Sequence, residues 1–355
     1  MIGLWAGFIG FVVLLLALDL GVVHRKAHVV GMREAAGWSA VWISLGLLFA
    51  VFVYYGYEAH WLGLGSAPDA VDGLVNGGGS AAVKYLTGYV VEKSLSVDNV
   101  FVIAMIFSFF AVPPIYQHRV LFWGILGALV MRGVMIGVGA QLIARFHWVL
   151  YLFGAFLIVT ALKMLLLKTE GGDPDKNLVV RLVRRLVPVT ARFHGQHFVV
   201  RAGSAASGES EVPGGTVAPD PVVAAARPGA ILLTPLALAL IIVETTDLVF
   251  AVDSIPAIFA ITADPFLVFT SNVFAVLGLR ALYFALAGML TAFRYLKPSL
   301  AVVLMVVGLK MIFAKWLKAA LGENFNLYLL AAVLGILAAG VVASVVAGRK
   351  REAEA

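Results

Sequence analysis

Apolar runs of about 20 residues recur along the chain between short polar clusters, the pattern of a polytopic membrane protein. The periodicity predicts about nine transmembrane helices, at 2–23, 38–60, 82–110, 119–141, 148–168, 230–261, 266–290, 297–318 and 325–348. The first run starts apolar and reaches His24-Arg25-Lys26 with no basic stretch before it and no small-residue cleavage site, so it reads as a retained span. Residues 169–229 form the one long polar stretch. It opens with a basic amphipathic run, Leu178 to Val187, suited to a membrane surface. From Gly203 to Pro228 it is rich in Gly, Ser, Pro and Ala, which predicts a flexible linker. A short β-hairpin is expected around Phe193–Arg201.

Composition supports the same class. The chain is 62% hydrophobic and 13% charged, with a mean hydropathy of +0.99, whereas soluble domains carry about 25% charged residues. The net charge of +6 is spread over short clusters between apolar segments, which argues against nucleic acid as a partner and for the lipid bilayer. The clusters at Arg25-Lys26 with Arg33, His118-Arg119, Lys168 with Arg181/Arg184/Arg185, Arg294/Lys297 and Arg349-Lys350-Arg351 all fall on one side. By the positive-inside rule that side is cytoplasmic, which places the N-terminus outside and the C-terminus inside a cell's inner membrane. Lys315 and Lys318 run against the rule. With no cysteine, thiolate metal sites and disulfides are excluded.

Two of the predicted spans carry carboxylates at one internal spacing. Glu92 stands six residues before Asp98-Asn99, and Asp247 six before Asp253-Ser254, with Glu244 three residues further upstream. A charge at the bilayer centre costs about 2.5–3.5 kcal/mol on insertion scales, so five such acids cost on the order of 10 kcal/mol unless compensated. Two further matches follow in order: Leu-Gly-Ala-Leu-Val-Met-Arg132 with Ala-Val-Leu-Gly-Leu-Arg280, and Thr-Ala-Leu-Lys163-Met with Val-Gly-Leu-Lys310-Met. The separations are 155 (92 to 247), 148 (132 to 280) and 147 (163 to 310) residues. Each unit thus has three helices, and an odd number of spans inverts the second unit relative to the first, as in many secondary transporters. The expected organisation is a two-helix segment (1–81), a first repeat (82–168), a cytoplasmic linker (169–229), a second repeat (230–318) and a C-terminal helix with a basic tail (319–355).

On a straight helix Glu92 and Asn99 share a face, as do Asp247 and Ser254, while Asp98 and Asp253 point a quarter to a third of a turn away. Pro256 lacks an N–H and crowds the carbonyl of Val252, so local unwinding beside Asp253 is expected. The available ligands are carboxylates, an amide and hydroxyls, an all-oxygen set suited to hard divalent cations such as Mn²⁺, Ca²⁺ or Mg²⁺. Ligand type does not single out manganese. Arg132, Arg280, Lys163 and Lys310 are the expected counter-charges; on the bland alternative they form a purely structural charge network. A desolvated carboxylate holds its proton more tightly, which makes proton–cation exchange natural. No Ser-His-Asp or zinc-protease pattern occurs, Asn76-Gly77-Gly78-Gly79 lacks the residues that complete a phosphate loop, and the histidines lie at loops or span ends, so no enzyme is expected.

The segments EKSLSVDNVFV (92–102), VETTDLVFAVDSIPAIFAIT (243–262) and DPFLVFTSNVFAVLGLRALYF (264–284) resemble the TerC family, in its longer Alx-like branch, and the likeness covers nearly the whole chain. PVTARFHGQHFVVR (188–201) also has the flavour of the family. The resemblance implies an integral membrane protein related to the lysine-exporter superfamily, of which several members export manganese and others are tied to membrane-protein assembly or metallation of secreted proteins. It implicates Glu92, Asp98, Asn99, Glu244, Asp247 and Asp253 in ion binding. The expectation is a Mn²⁺ exporter with no permanently bound cofactor, the metal being its substrate; a Ca²⁺ transporter or a non-transporting membrane factor are the alternatives.

Overall fold

The computed structural model describes residues 2–19, 31–166, 181–183, 185, 187–203, 220–286, 295–322 and 325–354. The chain is built mainly of helices: α1 (Ile2–Leu18), α2 (Met32–Glu58), α3 (Gly78–Phe109), α4 (Pro114–Arg145), α5 (Val149–Leu166), α6 (Pro221–Ala225), α7 (Pro235–Phe259), α8 (Pro265–Leu277), α9 (Leu279–Leu286), α10 (Leu296–Ile312), α11 (Ala314–Leu321) and α12 (Phe325–Glu354). Six helical stretches among the described residues are long and apolar enough to cross a membrane: α2, α4, α5, α7, α8 with α9, and α12 up to Ala347. The protein is thus an all-α polytopic membrane protein.

Helix starts follow local chemistry. Asp264 caps α8, its carboxylate accepting from the N–H groups of Phe266 (3.0 Å) and Leu267 (3.4 Å), with Pro265 at the first helical position. Asp220 and Pro221 repeat the device at α6, which therefore orders the end of the expected 203–228 linker; residues 204–219 lie outside the described residues. The expected span at 230–261 begins later, because residues 231–233 form β2 and Thr234-Pro235 opens α7. β2 (Ile231–Leu233) pairs antiparallel with β1 (Val199–Arg201), Val199 opposite Leu233, so the strand near residue 201 finds its partner across the linker and not in a local hairpin. The helix α7 runs unbroken through Pro256 where unwinding was expected. Only part of the amphipathic run 178–187 falls within the described residues, Arg181 to Val183 being helical.

The chain divides into two compact units, and α3, α4 and α7 contribute residues to both. The larger comprises 1–98, 129–168 and 251–355. In it, one apolar cluster gathers Val91, Ile136, Leu157, Ile258, Phe259, Val307 and Val333, and another gathers Phe8, Trp42, Tyr85, Phe266 and Phe274. On α4, Val130, Val134 and Val138 are 62–63% exposed while Arg132 is 1% exposed. This inside-out order, with charge inward and valine outward, is what a lipid solvent selects. Helices α5 and α10 cross at Gly154 and Gly308. A Cβ at Gly308 would stand 3.0 Å from the Gly154 carbonyl oxygen, and one at Gly154 3.2 Å from that of Gly308. Small residues let backbones meet where lipid gives no hydrophobic drive for association.

The loop before α3 is fastened by a buried charge cluster. Lys84 donates to Asp69 (2.8 Å) and to the Asn76 side-chain oxygen (2.6 Å) and pairs with Asp72 (2.7 Å). Asp69 also accepts from the Thr262 hydroxyl and from the N–H groups of Ala263 (2.9 Å) and Val71 (3.0 Å). Burial on its own would raise the Asp69 pKa, but the charge and hydrogen bond of Lys84, with the Thr262 and Val71 bonds, outweigh it and hold the carboxyl below its usual value. A lowered folded-state pKa gives stability that is present above the unfolded value, about 3.9, and lost as pH falls through the folded one. Lys84→Met strands Asp69 buried and unpaired and should cost about 3–5 kcal/mol at neutral pH. Thermal unfolding in detergent should show that deficit shrinking on acidification, because the stranded carboxyl then takes up a proton; a pH-independent deficit would contradict the assignment.

Candidate functional site

In the larger unit the first acid motif meets an arginine. Glu92 on α3 and Arg132 on α4 form an ion pair from Oε1 to Nη1, with both side chains shut off from solvent. The same Nη1 lies 3.5 Å from the Ser254 hydroxyl on α7 and 3.5 Å from Oδ1 of Asn272 on α8. A guanidinium this deeply buried needs a carboxylate and further oxygens to offset its desolvation. Ser96, one turn from Glu92 on the same face of α3, is also buried, and its hydroxyl has no hydrogen-bond partner among the described residues. The same holds for Glu92 Oε2 and Asn272 Nδ2.

Asp253, next to Ser254, is half-buried and accepts from the Thr160 hydroxyl on α5 at 3.3 Å. Lys163, one turn further along α5, lies within electrostatic reach of Asp253 while itself exposed. Asp98 is half-buried and feels the charge of Lys297 on α10. Arg280, whose sequence context matches that of Arg132, pairs with Asp19 at the end of α1. Lys310 donates to the Ala260 carbonyl (2.6 Å) and stacks its ammonium over the Phe325 ring at 5.1 Å. Arg280 and Lys310 thus take partners outside the two acid motifs.

The smaller unit, 99–128 and 169–250, holds the remaining predicted ligands. Asn99 donates to Asp247 at 3.2 Å, and its own Oδ1 is buried without a partner among the described residues. Glu244 lies directly over Gly127 of α4, so closely that a Cβ there would overlap the carboxylate. One turn back, a Cβ at Gly124 would stand 3.3 Å from Val243. The Gly124-x-x-Gly127 surface is therefore what lets α7 bring Glu244 against α4. Among the described residues, no three His, Asp or Glu side chains gather in a metal-holding group.

Four contributors were not legible in the motifs: Asp19, Asn272, Thr160 and the Lys84–Asp69 cluster. Asp19 carried a signal, as the single charged residue within the first apolar run. Thr160 and Asn272 lie in the quoted repeat and family segments, yet nothing local tells which neighbour they face.

The description "Integral membrane protein TerC family" fits residues 78–352. An uncharacterized membrane protein of Myxococcus xanthus is 44% identical over 347 residues, covering 98% of this chain and 93% of the relative. The Alx proteins of Escherichia coli K12 and Salmonella typhi, whose name describes them as candidate membrane-bound redox modulators, are 45% and 44% identical, each over 87% of this chain and 85% of their own length. No solved structure matches. With its family signature spanning both acid motifs and its relatives matching almost end to end, the chain belongs to the TerC family of integral membrane proteins, in the Alx-like branch.

Proposed function

We propose that the protein exports a divalent cation, Mn²⁺ foremost, from the cytoplasm across the inner membrane in exchange for protons. Nine spans, with the N-terminus outside and the C-terminus cytoplasmic, include two inverted three-helix repeats at 82–168 and 230–318. Glu92, Asp98, Asn99, Asp247 and Asp253 supply oxygen ligands; Glu244 serves as ligand or proton carrier. Arg132 is the counter-charge of the unloaded state, with Arg280, Lys163 and Lys310 balancing the rest of the bundle. The observation that carries this reading is the buried Glu92–Arg132 pair, with Glu92 Oε2 and the Ser96 hydroxyl of the same helix face buried and without partners among the described residues. Intramembrane ionisable groups of this kind mark ion pathways, and an all-oxygen set suits hard cations. The redox description of the Alx relatives finds no thiol to act on in a chain without cysteine. A metal-export role would alter redox balance indirectly.

Purified protein in liposomes should move Mn²⁺, and competition among Mn²⁺, Ca²⁺ and Mg²⁺ in that assay identifies the ion. Folded Asp98→Asn and Asp253→Asn proteins should each lose about tenfold or more in rate, equivalent to about 1.4 kcal/mol or more. Wild-type rates in both variants would end the proposal. Absence of any flux from wild type, with Arg132→Ala unfolded, would favour a non-transporting membrane factor whose charges are structural.

Gly127 gives a second test, through position and not through charge. Gly127→Ala pushes on the Glu244 carboxylate and should lower flux as far as Glu244→Ala does. In a Glu244→Ala background the same change should add almost nothing, because contacting residues are non-additive. Additive losses in flux would show that Gly127 does not act through Glu244.

A further inference from the structure

We propose that the Arg132 side chain is a tethered cation seated where the transported ion binds, so that Ser254 and Asn272 are ligands of that ion beside Glu92, and Arg132 sets its affinity by competition. This rests on the export reading above and adds to it two ligands and the means by which the unloaded site is held.

The geometry is a convergence on one atom. Oxygens from three helices, Glu92 of α3, Ser254 of α7 and Asn272 of α8, surround Nη1 of Arg132, which arrives from α4. All four side chains are buried: Glu92 at 0%, Arg132 and Asn272 at 1% and Ser254 at 2% exposure. A point ringed by a carboxylate, a hydroxyl and an amide oxygen, away from solvent, has the chemistry of a hard-cation site, and a nitrogen bearing positive charge occupies it. The amide of Asn272 points its oxygen at this charge while its Nδ2 has no partner among the described residues. Turned the other way, the amide would set its Nδ2 donor against the guanidinium, so the oxygen faces the charge.

Two requirements follow. Hard cations hold oxygen at about 2.0–2.6 Å, whereas Ser254 and Asn272 stand 3.5 Å from Nη1. An incoming ion therefore draws α7 and α8 inward at these positions as the guanidinium swings out on its flexible stem. Charge also changes: Glu92 with Arg132 is neutral, while Glu92 with a divalent ion is left with one positive charge. A second carboxylate must come in, and Asp253, adjacent to Ser254 on α7, gives up its 3.3 Å hydrogen bond from Thr160 to do so.

The test is Mn²⁺ binding to the full chain in lipid nanodiscs, read from loss of the free-ion electron paramagnetic resonance signal, with thermal unfolding to verify folding. Arg132→Gln removes the competing charge and should bind Mn²⁺ about tenfold tighter than wild type. Arg132→Lys, which keeps the charge, should fall between the two. Asn272→Ala should bind about tenfold more weakly. Unchanged or weaker binding in folded Arg132→Gln overturns the assignment of Arg132. If that variant does not fold, Asn272→Ala decides: wild-type affinity there overturns the proposal, and weakened affinity supports it. Wild-type binding with both variants unchanged sinks this inference alone, whereas a wild type that neither binds nor moves any divalent cation sinks the export reading and this with it.

Discussion

An arginine and a glutamate buried together in a lipid-solvated bundle constrain everything around them. Each charge alone would cost several kcal/mol to bury, and the attraction between them offsets this only while their geometry and surrounding oxygens hold. Glu92 and Arg132 therefore fix how α3 faces α4, and they oblige α7 and α8 to present Ser254 and Asn272 to the same nitrogen. The valine stripe on the opposite face of α4 is the complement of that demand: with charge directed inward, lipid is met by Val130, Val134 and Val138. Removing either side chain would leave the other charge buried without its counter-ion.

Such a centre can be assembled only if helices approach closely enough to satisfy it, and the small residues stand where that happens. A Cβ at Gly88 of α3 would stand 2.9 Å from the Ser271 hydroxyl oxygen of α8, the neighbour of Asn272. Gly139 of α4 gives way to the Phe259 ring at the end of α7, and Gly154 and Gly308 bring the backbones of α5 and α10 together. In a bilayer, association comes from packing and interhelical polar contacts, not from expulsion of water. The glycines and the charge centre are therefore two aspects of one solution: close backbones make the polar contacts short, and the polar contacts justify the close backbones.

What the sequence made legible follows from which physics is local. Apolar runs and caps are local, so the helices appear near their expected positions, and 148–168 is realised as Val149–Leu166. Helix α7 starts later than the apolar pattern places it because Ile231–Leu233 is as apolar as the helix it precedes; only Thr234-Pro235 marks the change. The partner of β1 could not be read, since it lies beyond residues 204–219. Spacing singled out Arg132 as a mid-span charge, but pairing is a long-range property. Counting charges alone would set Arg280 and Lys310 against the acid motifs, whereas Asp19 and the Ala260 carbonyl receive them. At Pro256 the local rule predicts unwinding, yet Ile255, Ala257, Ile258 and Phe259 around it are buried in the apolar core of the larger unit and α7 continues helical to Phe259.

The partners of the two matched arginines break the symmetry that their sequence context suggests. Arg132 engages Glu92, the acid six residues before Asp98, together with Ser254 of α7 and Asn272 of α8. Arg280 engages Asp19, at the end of α1. The likeness of the two sequence contexts therefore does not extend to the ion pairs, and Asp19 at the end of α1 supplies the acid for Arg280. An arginine paired with Asp19 and one paired with Glu92 thus place their charges in different surroundings, although their sequence contexts match. The Arg132 charge sits where Glu92, Ser254 and Asn272 meet, so any change in that charge bears on α3, α7 and α8 together.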